Sequence, residues 1–483
     1  MSKSVFITGA TGVMGKASLD EILARGDCRV RILARDSKKN RKLLKSYARR
    51  EEVAVVWGDL LDKDRVKEAL GDADIVLHMG GLVSPMADRY PEQTMKVNVD
   101  GTRILIDAIK ERGGVDHIKF VYVGSVAQMS RRDVPLHWGR TGDPLLAAEF
   151  DHYGVSKIKA ERIVAESGLR FWVSLRQTGI LHPGLFLRGR DPITFHVPLR
   201  GVLEWATLED SARLMAALCD DGIPDSFWRN FYNIGSGEAY RLTNYEFEKL
   251  ILGAVGSPAP EKIFDTKWFA TGNFHGCWFL DSDTLDEIVP FRENLPVEKY
   301  FRRMVRKAPW WTRLAPLAPA PVVKRMMRKV AETKDYGTLD WISRKDCEDR
   351  IRAFFGSREE REKIKDWKDT DLSRPEGAPV VLSHGYDEEK SFDSLGEEDF
   401  REAARFRGGR LIEADGVDLE KTVDSPLEWE CCMGHRFSAT PRMILKGGHW
   451  CPKCDTAPLR LQKEAPHNPF LAQFLDRQPV DSK

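Results

Sequence analysis

The apolar positions first organise at the N-terminus. Val5-Phe6-Ile7 is a short apolar run closing on Gly9, Gly12 and Gly15, and from Ala17 apolar residues recur at helical spacing (Leu19, Ile22, Leu23). That order predicts a strand, a tight turn and a helix. Residues 29–35 and 53–60 read as the next strands, 63–70 as a helix, and 73–78 as a strand ending in the turn Met79-Gly80-Gly81. Residues 120–124 form another strand, ending at Ser125, and Tyr153 opens a helix that runs through Ala165. Strands and helices alternating at this pace predict an α/β fold, a Rossmann-type doubly wound parallel sheet.

The residues at the turns supply the candidate chemistry. A glycine-rich turn lets backbone N–H groups approach a pyrophosphate, and the helix N-terminus behind it adds roughly half a positive charge. What sits past the second strand faces the adenosine ribose, where an acid accepts the 2′-hydroxyl and an arginine welcomes a 2′-phosphate. Arg35, backed by Lys38 and Lys39, therefore points to NADP, with NAD the alternative. Asp59, ending the third strand, is placed to face the adenine. Tyr153 and Lys157 are four apart and share a helix face. A phenol titrates near pH ~10 when unperturbed, and a neighbouring ammonium is expected to lower it. Tyr153 then serves as acid and base at a carbinol carbon.

The pieces Thr8-Gly9-Ala10-Thr11-Gly12-Val13-Met14-Gly15, Gly58-Asp59-Leu60, Leu77-His78-Met79-Gly80-Gly81, Asn98-Val99-Asp100-Gly101-Thr102 and Tyr153-Gly154-Val155-Ser156-Lys157 occur in that order. On them, residues 1–305 resemble the extended short-chain dehydrogenase/reductase family of NAD-dependent epimerases, dehydratases and 3β-hydroxysteroid-dehydrogenase-like reductases. The resemblance implies an NAD(P)-dependent oxidoreductase acting on a small-molecule alcohol or carbonyl. Ser125 would hold the substrate oxygen, and Lys157 the nicotinamide ribose. Thr8, Gly9, Thr11, Gly12, Val13, Met14, Gly15, Leu60, Met79, Gly80, Gly81 and Asn98 would contact the cofactor with Arg35, Asp59, Tyr153 and Lys157. A small α+β substrate lobe is expected mainly from residues 185–195 and 204–302, with Asp210 capping a helix and His182 a hydrogen-bonded loop residue or, in the alternative, a substrate contact. Ser125 is followed by Val126-Ala127-Gln128, which carries no acid to expel water, so dehydration is disfavoured. The alternatives are a sugar-nucleotide epimerase and, from another class, a dinucleotide-sensing or scaffold protein. Homodimers formed through the helices bearing Tyr153 are implied by the resemblance alone.

Beyond residue 305 the composition changes. Residues 306–395 comprise a proline- and tryptophan-rich stretch expected to pack on the main domain or cover a pocket mouth, with a place on a membrane surface through its tryptophans and bases the alternative, then charged solvated helices over 335–372 and a linker from 373. Residues 396–462 carry Cys451-x-x-Cys454, and with His435 and either Cys431 or Cys432 these complete a closed tetrahedral set for structural zinc. The pattern resembles a zinc-ribbon or treble-clef module, in which Cys431 would be the ligand; its protein or nucleic-acid partner is left open. Residues 463–483 form a tail. The formal net charge of +1 draws the whole chain to neither nucleic acid nor membrane, and no apolar run is long enough to span a bilayer. Four of the eight cysteines are scattered and four crowd into one site, which favours a reducing, cytoplasmic setting.

Overall fold

The computed structural model describes residues 2–129, 131–186, 191–412 and 423–476. Seven strands, all parallel, make the central sheet: β1 (Lys3–Thr8), β2 (Cys28–Ala34), β3 (Val53–Trp57), β4 (Ile75–His78), β5 (Lys119–Ser125), β6 (Trp172–Gln177) and β7 (Asn230–Ile234). Their order, β7-β6-β5-β4-β1-β2-β3, reverses direction between β1 and β4. A crevice therefore opens beyond the carboxyl ends of those two strands. Val5, Phe6 and Ile7 are wholly buried because β1 is covered on both faces, which is why it reads as a continuous apolar run.

The principal helices here are α1 (Val13–Arg25), α2 (Lys63–Leu70), α3 (Gly101–Glu111), α4 (His152–Ala165) and α5 (Leu208–Ala217). The first and last share a core with one sheet face, through Leu19, Ile22, Leu214 and Met215. The other three cover the opposite face through Val66, Leu105, Ile109 and Ala160. Thr207, not Asp210, caps α5: its backbone is extended and its hydroxyl accepts from Asp210 N at 3.0 Å. Asp210 lies one turn in, where its carboxylate accepts from Ser236 Oγ and Glu293 N.

Two expectations for the later chain change. Residues 335–372 are not simply solvated, because Trp341, Ile351, Phe354 and Phe355 are buried together with Ala270. Residues 373–395 are mostly irregular yet fastened: buried His384 lies 2.9 Å from Asp143, and Arg140 donates to Glu388 and to Leu382 O. Two further helices, α6 (Val297–Lys307) and α7 (Ala320–Ala331), flank a 3-10 stretch over Trp310–Leu317. Near the C-terminus, β8 (Leu427–Glu430) and β9 (Arg436–Ala439) pair antiparallel, and the short α8 (Pro441–Leu445) follows. Their apolar residues, with Trp429, Phe437 and Trp450, join the core cluster that holds α4 to the sheet. Residues 187–190 of the expected substrate lobe, 413–422 of the expected zinc module and 477–483 of the expected tail lie outside the described residues.

Candidate active site and candidate metal centre

The turn after β1 is shaped by its glycines. Gly9 has φ +80°, a left-handed conformation that disfavours any side chain, and a Cβ there would come within 2.7 Å of Gly80 N. The two turns flanking the crevice are thus pressed together. A Cβ on Gly15 would run into the Gly9 carbonyl, so α1 approaches the strand end only with glycine there. Gly12 N donates to Gly9 O at 2.9 Å, and Gly12 caps α1 with no side chain closing the helix end and no acid in its first turn. The first-turn N–H groups are therefore available to an anion, and the cradle fits a dinucleotide pyrophosphate. Gly15→Ala is expected to abolish dinucleotide binding by calorimetry while the fold survives.

The remaining predicted cofactor residues divide by placement. Thr11, Gly12 and Val13 reach solvent at the mouth of the turn, whereas Met14 is buried beneath it. Thr8 is also buried; its hydroxyl accepts from Gly80 N at 3.1 Å and lies 2.7 Å from His78 Nδ1. Burial pushes His78 down to about 3, so it is neutral and structural. Arg35 and Asp59 are exposed just past β2 and β3. Asp36 is engaged by Arg41 at 2.5 Å, and Arg41 lies over the Trp57 ring, whereas among the described residues no ion pair engages Arg35. Asp59 accepts from Leu61 N at 3.0 Å. Leu60 leans on Gly101 rather than on the crevice. Met79 is half-buried and Gly81 lies against Asn98. Asn98 bonds both backbone groups of Leu82 and donates to Ser156 Oγ at 2.8 Å, so it pins the β4 turn to α4.

Ser125, Tyr153 and Lys157 come together at the carboxyl end of β5. Ser125 is buried and caps a 3-10 turn in which Gln128 Oε1 accepts from its N–H. Asp151 caps α4, fixing the helix start two residues before Tyr153. The electrostatics differ from the expectation drawn from spacing. Burial raises the Tyr153 phenol to about 12, with Asp151 acting in the same direction, and a hydrogen bond with Ser125 only partly offsets them. The reason is orientation: Lys157 Nζ donates to Val123 O at 2.7 Å and lies over the Tyr122 ring, nearer to it than to the Tyr153 ring. Burial lowers the lysine to about 8, with Glu161 opposing the shift. At neutral pH Tyr153 is a protonated donor and Lys157 a cation. Turnover in the reducing direction is therefore expected to fall above about pH 8, as Lys157 loses its proton; a profile flat to pH ~10 would contradict this.

One turn beyond Lys157, Glu161 is wholly buried and was not singled out by pattern, although 153, 157 and 161 share a face. It accepts from Arg176 Nε at 3.1 Å and Nη2 at 2.7 Å and from Ser174 Oγ at 2.6 Å, and lies 2.9 Å from His449 Nε2. Arg176 holds its carboxyl well below the usual range against the cost of burial. Arg176 also donates to Gly447 O at 2.5 Å, and Arg162 to Trp450 O at 2.7 Å. The helix carrying Tyr153 is thus tied to residues 447–450, immediately before Cys451.

Cys431, His435, Cys451 and Cys454 offer donor atoms that all lie within 4.8 Å of one another. Cys431 and Cys454 sulfurs are 3.8 Å apart, as two thiolates about 2.3 Å from one tetrahedral ion would be. His435 Nδ1 is 3.5 Å from Cys451 Sγ and 3.4 Å from Cys454 Sγ. Cys432 stands outside the set. The donor chemistry fits zinc, and no fifth protein donor joins it among the described residues. His182 accepts from Gly184 N at 3.1 Å, in keeping with its reading as a loop residue.

Residues 5–178 match the model of the NAD dependent epimerase/dehydratase family. Over these residues the chain is similar to that family. An uncharacterized membrane protein of Methanocaldococcus jannaschii is 27% identical over 200 residues, 41% of this chain and 57% of its own length. The 3 beta-hydroxysteroid dehydrogenase type 7 of Mus musculus is 26% identical over 37% of this chain and 50% of its own length. The chain thus spans about half the length of these relatives. Among solved structures, a dTDP-glucose 4,6-dehydratase of Streptomyces venezuelae superposes with TM-score 0.50 at 20% identity, covering 64% of this chain and 96% of that one. The enzyme WbmH of Bordetella bronchiseptica does so with TM-score 0.50 at 19% identity, over 65% and 100%. At such identity these two establish the fold of the epimerase/dehydratase part.

Proposed function

We propose that the chain is an NAD(P)-dependent oxidoreductase acting at an alcohol or carbonyl carbon of a small substrate. The observation that carries this reading is the convergence of Ser125, Tyr153 and Lys157 beside a glycine cradle open to a dinucleotide. A bound nicotinamide supplies or accepts the hydride. Ser125 orients the substrate oxygen, and Tyr153, protonated at neutral pH, gives that oxygen its proton. Lys157 holds positive charge behind the phenol and would hold the cofactor ribose. With no carboxylate after Ser125, nothing stands ready to expel water, so simple reduction or oxidation is favoured over dehydration. Epimerisation is the second reading, because it uses the same three residues and the family includes epimerases. A dinucleotide sensor has no need of a proton donor at this place. Steady NADPH consumption with a carbonyl panel supports a reductase, inversion without net cofactor turnover an epimerase, and binding without either a sensor.

NADP is the preferred cofactor in this proposal, on Arg35, which no ion pair engages among the described residues, and on the committed Asp36. Arg35→Asp is expected to weaken NADPH about tenfold or more relative to NADH; an unchanged ratio removes Arg35 from the site. We assign residues 1–305 to catalysis, with cofactor contacts from Thr8, Gly9, Thr11, Gly12, Val13, Met14, Gly15, Asp59, Met79, Gly80 and Gly81, and from Asn98 through the turn it braces; Leu60, which packs on Gly101, drops out of the set. We assign 396–462 to a zinc-bearing module in which Cys431, His435, Cys451 and Cys454 hold a structural ion. Metal analysis of protein purified without chelator tests this, and one zinc per chain is expected. A homodimer through α4 would have to use what the C-terminal residues leave uncovered, and sedimentation of the full chain tests it.

A further inference from the structure

Between Lys299 and Ala331 the sequence carries four lysines and six arginines and no aspartate or glutamate. The structure sorts these residues by face. α6 buries Tyr300, Phe301 and Met304 and exposes Arg302 and Arg306. The 3-10 stretch that follows leaves Trp310 71% and Leu317 77% exposed, with Trp311 and Leu314 each at 48%. α7 turns Val323, Met327 and Val330 onto the core that includes Leu181, Phe195 and Tyr300. Its other face presents Val322 and Met326, one turn apart and 53% and 58% exposed, among Arg325, Arg328 and Lys329. Six of the fifteen exposed large apolar side chains among the described residues therefore fall within 310–326, a concentration chance spacing would not produce. Arg303, Lys307 and Arg328 have carboxylate partners. Among the described residues no ion pair engages Arg302, Arg306, Arg325 or Lys329.

A solvated surface does not favour tryptophan and leucine side chains in one patch, and the surrounding cations select what covers them. A second copy of the same face would oppose like charges across a two-fold axis. A phosphodiester backbone would satisfy the bases but give Leu317, Val322 and Met326 nothing to bury in. An anionic bilayer surface satisfies both, taking tryptophan and aliphatic groups to headgroup depth while lipid phosphates face the bases. We propose that residues 299–331 dock the protein on an anionic lipid surface. The docked face adjoins the lobe whose core holds Leu181 and Phe195, so docking sets that lobe against the lipid. This inference is independent of the reaction proposed above.

The test uses the full chain and vesicles of phosphatidylcholine alone or mixed with phosphatidylglycerol. Co-sedimentation with the mixed vesicles is expected, with a blue shift of tryptophan fluorescence and loss of binding at high salt. Binding to neutral vesicles, and binding of R325E/K329E or W310S/W311S to mixed ones, is expected to be about tenfold weaker or less. The substituted side chains are exposed, and unchanged far-ultraviolet dichroism checks that the variants fold. No sedimentation of the wild-type chain with either vesicle overturns the proposal. So does equal affinity for both vesicles, variants that bind like wild type, or a wild-type dimer that W310S/W311S dissociates.

Discussion

Tyr153→Phe is expected to lower turnover by about 10²–10⁴-fold while leaving dinucleotide affinity within about twofold. The side chain stands at the start of α4, and its hydroxyl bonds to Ser125 rather than to the glycine cradle. Removing one oxygen leaves the ring, the Asp151 cap and the Lys157–Val123 bond in place. The loss should therefore fall on the proton step and not on binding. Burial keeps the phenol protonated far above neutrality, so it is a donor ready for carbonyl reduction. Titration of NADPH beside steady-state rates checks this. A variant that loses cofactor and turnover together would make Tyr153 a structural residue, and one that keeps turnover would remove it from the chemistry.

Glu161→Ala is expected to destabilise the protein by about 3–5 kcal/mol, the cost of leaving a buried cation without its partner. Arg176 and Glu161 are both fully excluded from solvent, and the same carboxylate meets His449. Chemical denaturation of the full chain measures the loss. In the Glu161→Ala background His449→Ala should cost less than in wild type, because its partner is already gone; strict additivity would show that the two do not interact. The network spans α4, β6 and the residues just before Cys451. Chelation of the proposed zinc ion is therefore expected to loosen α4 as well as the C-terminal residues, and hydrogen exchange along 153–165 would register it.

Much of the fold was legible because its strands lie in the middle of a covered sheet. Continuous apolar runs such as Val5-Phe6-Ile7 have one plausible arrangement when glycine turns and helices alternate with them. The Cys/His cluster was legible for a similar reason: Cys451 and Cys454 share a tight turn, so sequence spacing becomes spatial proximity. What escaped depends on contacts across long stretches of chain. The Glu161–His449 pair joins residues 288 positions apart, and no local pattern marks it. The core under Trp341 and Phe354 was hidden by the charged residues around it. The α5 cap moved from Asp210 to Thr207 because the preceding strand keeps Thr207 extended, a feature of backbone conformation and not of residue type. The phenol's direction of shift departs from what spacing predicts for a related reason. Helical spacing puts Lys157 one turn from Tyr153, but the direction of the ammonium is decided by the Val123 carbonyl.

In the proposed reaction the glycine cradle holds the cofactor whose hydride reaches the substrate carbon that Ser125, Tyr153 and Lys157 serve. Transfer of deuterium from NADPH labelled at the reactive nicotinamide carbon tests it most directly, across aliphatic ketones, 3-oxosteroids and 4-keto sugar nucleotides. Label is expected on the carbinol carbon of a product, with transfer lost in Tyr153→Phe. Tight NADPH binding with no label in any product would contradict it.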